Sequence, residues 1–140
     1  MPSMPIQPPQ LLPLPQFGDH RGNLVAAEIG RDLPFVPQRL LLIHEVPPSH
    51  VRGEHAHWRC GQILICLCGQ LTVWTDDGAA QREFVLDHVG TGLHIPPMVW
   101  ASQHSHTPGA VLMVLASDPY DEADYIRNYA DWEKAIGRAP

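Results

Sequence analysis

The sequence predicts an all-β chain, an antiparallel sandwich or barrel with one C-terminal α-helix packed outside, and three observations carry that prediction. From Arg39 onward, apolar runs of strand length (RLLLIHEV, QILICLC, LTVWT, EFVL, GLHIP and AVLMVLAS) alternate with turn residues. The separators include GQ, PG and DDG, and TDDG at 75–78 is a strong hairpin signal. Only in DEADYIRNYADWEKAIG does the period change. There Tyr125, Ile126, Tyr129, Trp132 and Ile136 recur at helical spacing, with acids at the front and Gly137 near the end. Many short strands followed by one amphipathic helix favour a closed β core with the helix on its surface.

Taken in order, the elements begin with six prolines in the first sixteen residues, which forbid a helix and predict an extended arm over 1–16. That arm is either a loose tail or a segment lying against a partner subunit. FGDHRGNL then reads as a turn, followed by a short strand around Leu24–Ala27 and the proline-flanked segment DLPFVPQ. Residues 17–140 form the single folded domain, a length able to bury most of its apolar surface. A hydrophobic content of 44% against 17% charged residues is that of a globular chain. No apolar stretch approaches the roughly 18 residues of a membrane span, and the N-terminus lacks the features of a secretory signal, so the expected location is cytoplasmic. Cys60, Cys66 and Cys68 make no CxxC pair, and a strand through QILICLC would place the latter two on one face as small core residues. A net charge of −6 with only nine basic residues argues against a nucleic-acid surface. Eight of those nine are arginine, whose planar fork suits the oxygens of a small phosphate ligand.

The chemistry concentrates in RGEHAH, residues 52–57. On a strand, His55 and His57 project from the same face, and inside a small barrel they would share one cavity. The spacing of these histidines to Gln62 and Gly69 is similar to the first motif of the cupin barrels. In metal-binding cupins an acid occupies the place of Gln62, and a further histidine follows the turn GLHIPPMVW, where Ala101 and Ser102 stand. Two of four ligands are therefore missing, and three or four are needed to hold an ion against water. No metal is expected, although His94, His104 and His106 lie close enough in sequence to keep a metal-dependent cupin enzyme as an alternative. Metal-free imidazoles point to proton transfer, because they titrate near neutrality and both take and return a proton. Arg52 beside them would hold a phosphate or polarise a carbonyl.

The runs DHRGNL, LPFVPQRLLLI, RGEHAH, QILICLCGQLTVWTDDG, GLHIPPMVW and VLASDPYDEADYIRNY resemble the nucleotide-sugar 3,4-ketoisomerases, RmlC-like cupins acting on dTDP-4-keto-6-deoxyglucose. The resemblance covers residues 17 to 135 and implies a cupin (jelly-roll) barrel. It implies an isomerase that moves a proton from C3 to C4 through an enediol, without metal or organic cofactor, to supply a 3-keto sugar for amination. By the same resemblance His57 is the base and His55 its partner. Arg52, Arg39 and Arg21 contact the phosphates or the keto oxygen of a dTDP-linked keto-deoxysugar. Gln62 matches a family glutamine, and Arg59 and His94 complete the expected substrate-binding set. A homodimer exchanging N-terminal strands is implied too, with no nucleic acid or membrane partner. The chain departs from the family where Leu41 or Leu42 replaces a strand tyrosine, where His94 replaces a tyrosine, and at Ala101 and Ser102. These departures keep open a non-catalytic cupin that only binds a sugar nucleotide.

Overall fold

The strand QILICLC is apolar on both faces, and the fold buries both. In the computed structural model, which describes residues 5–138, this strand, β6 (Gln62–Cys68), lies at the centre of a five-stranded antiparallel sheet. Its neighbours on one side are β9 (Thr91–Ile95) and then β1 (Gln10–Pro13); on the other they are β11 (Val111–Ala116) and then β4 (Arg39–His44). Leu64 and Cys66 point inward to join Leu71, Val73, Leu93, Leu112 and Val114 in the main core. Ile63 and Ile65 point outward and are covered by Leu14, Val25, Leu33 and Phe35 from the N-terminal third of the chain. Both faces are covered over Ile63–Cys66, so the strand reads as continuous apolar sequence, and only Leu67 and Cys68 at its end are exposed.

The facing sheet runs β12 (Tyr125–Ile126), β5 (Arg52–His57), β10 (Trp100–His104), β7 (Leu71–Asp76) and β8 (Gln81–Leu86). The two sheets enclose the core as an antiparallel jelly-roll, the expected fold. The β7–β8 hairpin turns at Asp77–Ala80, where Asp77 accepts from the N–H groups of Ala79 and Ala80, as TDDG predicts.

Several segments differ from expectation. FGDHRGNL is a hairpin rather than a turn alone: β2 (Gln16–Asp19) pairs with β3 (Gly22–Val25) in a separate two-stranded sheet. Within the arm, Leu11 pairs with Leu93 of the same chain and Leu14 is buried. The C-terminal helix, α1, is confined to Tyr129–Ala135, because Tyr125 and Ile126 pair with His57 and Ala56 instead of joining it. Asn128 caps α1 by accepting from Asp131 N–H. Trp132 anchors the helix on the barrel and donates from its indole nitrogen to Met98 O at 2.7 Å. Cys66 is in the core but Cys68 is exposed. The register of β6 against β11 slips between Val111 and Leu112, so the strand alternation is not kept to its end.

Candidate active site

Arg52 and His55 are three residues apart, an odd spacing that a regular strand would send to opposite faces. The chain corrects this with a bulge. Gly53 and Glu54 both have positive φ, 86° and 49°, and the pairing of β5 with β10 slips between Ala101↔His55 and Gln103↔Arg52. Glycine is required there because a Cβ would lie 3.3 Å from both Ala101 O and Ser102 Cα. Past the bulge, Arg52 and His55 line the same cavity, together with Gln62, Gln103, Leu41, Ile43, Val114, Tyr125 and Arg127.

His57 sits behind this cavity wall, 5% exposed, its ring edge-on to His55 with centroids 4.8 Å apart. Tyr125, opposite His57 across the β5–β12 pair, covers both imidazoles at centroid distances of 5.0 and 4.3 Å. Both rings are held in one tautomer. His55 Nδ1 donates to Gly53 O at 2.8 Å, and His57 Nδ1 donates to Asp124 Oδ2 at 3.2 Å. Each ring is left with an Nε2 lone pair, and that of His57 is buried without a partner among the described residues. Burial lowers the pKa of both imidazoles. For His57 the neighbouring His55 adds to the effect, and the Asp124 carboxylate opposes it. Both rings are neutral at pH 7, the form that accepts a proton.

Asp124 is 3% exposed and accepts three N–H groups: Arg59 N at 2.8 Å, Cys60 N at 3.1 Å and His57 Nδ1. His57, Cys60 and Asp124 place potential metal-ligand atoms within 4.8 Å of one another. The carboxylate is committed to three donors, however, so this arrangement orients an imidazole rather than offering a free ligand.

Cations ring the mouth, although the chain as a whole is acidic. Arg39 donates to Tyr125 Oη at 3.3 Å and lies 5.5 Å from the Tyr120 ring centroid. Arg127 stacks 4.2 Å over Tyr125 and is held by Glu122. The cavity itself is about 200 Å³, smaller than the roughly 300 Å³ at the low end of whole-ligand sites. It has room for a sugar ring, with charged substituents left to the arginine rim.

Five of the eight residues expected at the site come together: His55, His57, Arg39, Arg52 and Gln62. Three do not. His94 and Arg59 line a different groove with Phe35, Trp58 and Pro96, because Leu93 and Ile95 take the inward positions on β9. Arg59 is paired with Asp121 at 2.9 Å. Arg21 lies at the tip of the β2–β3 hairpin, 79% exposed and paired with Asp19. Leu41, rather than Leu42, occupies the cavity wall where a strand tyrosine was expected. Sequence reasoning did not pick out Tyr125, Arg127, Asp124 and Gln103. The signal for three of them was the dense DEADYIR stretch, which the helical period absorbed.

Comparison with known proteins follows the same lines. The family model described as FdtA: WxcM-like, C-terminal matches residues 7–137. The TDP-4-oxo-6-deoxy-alpha-D-glucose-3,4-oxoisomerase of Aneurinibacillus thermoaerophilus is 42% identical over 120 residues, 86% of each chain. QdtA, a sugar 3,4-ketoisomerase from Thermoanaerobacterium thermosaccharolyticum solved in complex with TDP, matches with a TM-score of 0.89. Its identity is 35%, and the match covers 93% of this chain and 95% of that one. The WlaRB TDP-quinovose 3,4-ketoisomerase from Campylobacter jejuni matches with a TM-score of 0.87 at 36% identity, covering 92% and 99%. The family match runs through every strand that lines the cavity, and the chain belongs to the FdtA family, WxcM-like, C-terminal.

Proposed function

We propose that the protein is a sugar-nucleotide 3,4-ketoisomerase converting dTDP-4-keto-6-deoxyglucose to a dTDP-3-keto-6-deoxyhexose. The observation that carries the reading is the pair of neutral imidazoles, each with Nδ1 bonded away and Nε2 free, at a cavity of single-sugar size. His57, oriented by Asp124, removes the proton at C3 as general base. His55 lines the cavity and assists in returning a proton at C4. Arg39 and Arg52 bind the charged parts of the substrate at the rim, and Gln62 hydrogen-bonds the sugar. The chemistry uses proton transfer alone, with no metal or cofactor assigned to a step.

The protein acts as a homodimer exchanging N-terminal strands. Phe17 and Leu24 face each other across β2–β3 and are each 60% exposed. An apolar groove of about 610 Å³ also runs over the outer face of the β6 sheet, lined by Leu14, Val25, Leu40, Leu67 and Met113. A second subunit would cover both. It would also bring Arg21 of one protomer toward its partner's cavity, which accounts for an arginine stranded from its own.

Incubation with dTDP-4-keto-6-deoxyglucose in deuterated water, followed by NMR of the product, tests the function. The expected result is a new 3-keto sugar carrying deuterium at C4, with deuterium at C3 of the recovered 4-keto substrate. His57→Asn should abolish exchange while nucleotide binding survives; retained exchange would remove His57 as the base. Wild-type protein that binds the nucleotide without exchange would instead be a binding module. Full activity of metal-stripped protein excludes the metal-dependent alternative.

A further inference from the structure

The proposed reaction makes no use of the Cys60 thiol, yet that thiol lies against the groups that orient His57. Cys60 sits in the short connection from β5 to β6 and is 2% exposed. Its N–H donates to Asp124 Oδ2 at 3.1 Å, the oxygen that also accepts His57 Nδ1–H at 3.2 Å. The thiol donates to Gly61 O at 3.4 Å. No donor among the described residues approaches the sulfur, so its lone pairs are uncommitted.

His57, Cys60 and Asp124 each offer one ligand atom within 4.8 Å of the other two, and all three residues are buried. The set is separate from the four-ligand cupin pattern, which would run through Gln62 and the Ala101–Ser102 region. Tetrahedral zinc bonds of about 2.0–2.3 Å set ligand atoms about 3.4–3.6 Å apart. Nδ1 and Oδ2 already stand at 3.2 Å, and the sulfur has at most about 1.2 Å to close. A metal finds no free carboxylate here; it must compete with the proton held between His57 and Asp124. The guanidinium of Arg59, 3.8 Å from Asp124 Oδ1, opposes a cation, but it is exposed and paired with Asp121.

From this cluster we infer that His57, Cys60 and Asp124 form an inhibitory site for a thiophilic divalent cation, Zn²⁺ or Cd²⁺. The cation replaces the proton between His57 Nδ1 and Asp124 Oδ2, and the imidazole takes its proton on Nε2 instead. Cys60 gives its thiol proton to solvent. Three bonds form, to imidazole nitrogen, thiolate sulfur and carboxylate oxygen, and no electron is transferred. One thiolate and one carboxylate balance the two charges of the cation, so the buried cluster carries no net charge. The backbone donors of Arg59 and Cys60 stay on the carboxylate and hold it in place. His57 is left with an N–H where it had a lone pair, and it no longer accepts a proton.

Metal binding stands apart from the ketoisomerase reading, and only the loss of activity rests on it. Cd²⁺ added to the full chain reads the binding: a thiolate-to-cadmium charge-transfer band in the ultraviolet, with one proton released per cation. Turnover of dTDP-4-keto-6-deoxyglucose reads the inhibition. It should fall about tenfold or more at a small excess of Cd²⁺ over protein, and a chelator should restore it. Cys60→Ala and Cys60→Ser should keep metal-free turnover, because only the backbone of Cys60 serves Asp124, and should lose both the band and the inhibition. Cys68→Ser alters the exposed thiol and should change neither. Wild-type protein without the band overturns the site, as does a band that survives in Cys60→Ala and disappears in Cys68→Ser. A band that depends on Cys60 while turnover is undiminished overturns the inhibition. A band that depends on Cys60 in protein with no metal-free turnover overturns the ketoisomerase reading and supports the metal site.

Discussion

Asp124 reaches His57 across 67 residues of chain, and its carboxylate faces three N–H donors. An asparagine in its place has one oxygen for those three donors and turns an NH₂ toward at least one of them. The group released first should be the imidazole, since the two backbone donors, Arg59 and Cys60, are fixed in the short connection from β5 to β6. Asp124→Asn is therefore expected to lower kcat by about 10² to 10⁴-fold, with little change in KM, as the wrong tautomer points a proton at the substrate. The pH profile gives a second readout. In the native protein burial lowers the His57 pKa and Asp124 partly restores it. Removing the carboxylate charge lowers it further, so the acid limb of kcat/KM should move to lower pH, whereas a structural lesion alone would leave the limb in place. At this scale the sequence was legible wherever a motif lay on one strand: His55, His57 and Arg52 are within six residues. Asp124 and Tyr125 were not, because their role depends on a two-residue strand that only tertiary pairing creates.

Strand β5 works because it is irregular. A regular strand would present His55 and His57 to the cavity and send Arg52 to the other face; the Gly53–Glu54 bulge inserts the extra residue that restores Arg52. Gly53→Ala places a side chain on a backbone with φ of 86°, against β10 backbone atoms 3.3 Å away. The expected cost is about 1–3 kcal/mol of stability, read from denaturant unfolding. Substrate affinity should fall more than kcat, because the displaced residue binds while the histidines beyond the bulge keep their pairing. Loss of kcat with affinity intact would show that the bulge serves the histidines instead. The apolar runs from β4 onward announced their strands because one or both faces meet the core. Strand β10 did not: WASQH carries small and polar residues that are buried beside the cavity, so it lacks an apolar pattern. The helix was legible in Tyr129 and Trp132, and its start was not, since Tyr125 and Ile126 fit a helical period by coincidence of spacing.

Across the whole molecule, four histidines share one electrostatic circumstance. His55, His57, His94 and His106 all have pKa values lowered by burial, with like charges adding to the effect for His55, His57 and His106. Only the first two belong to the candidate site. His106 is 2% exposed, and neither ring nitrogen has a partner among the described residues. As pH falls through the ordinary imidazole range, the unfolded chain takes up protons that the folded chain refuses. Protonation therefore favours unfolding, and the stability these groups permit is complete above that range and lost below it. Each histidine contributes a slope of at most about 1.4 kcal/mol per pH unit within its own window. The lowered carboxylate pKa values of Asp32 and Asp76 act with the same sign, but only in the more acidic range where carboxylates protonate. Two stages of acid destabilisation should follow, the first centred on the histidines. Denaturant midpoints measured from about pH 7.5 down to about pH 5.5 should fall steadily, and His106→Phe should flatten that fall while leaving the proton-transfer cavity intact. A midpoint that stays level over this interval would mean that the imidazoles take up protons in the folded protein as readily as in the unfolded chain. The lowering of the imidazole pKa values by burial would then be excluded.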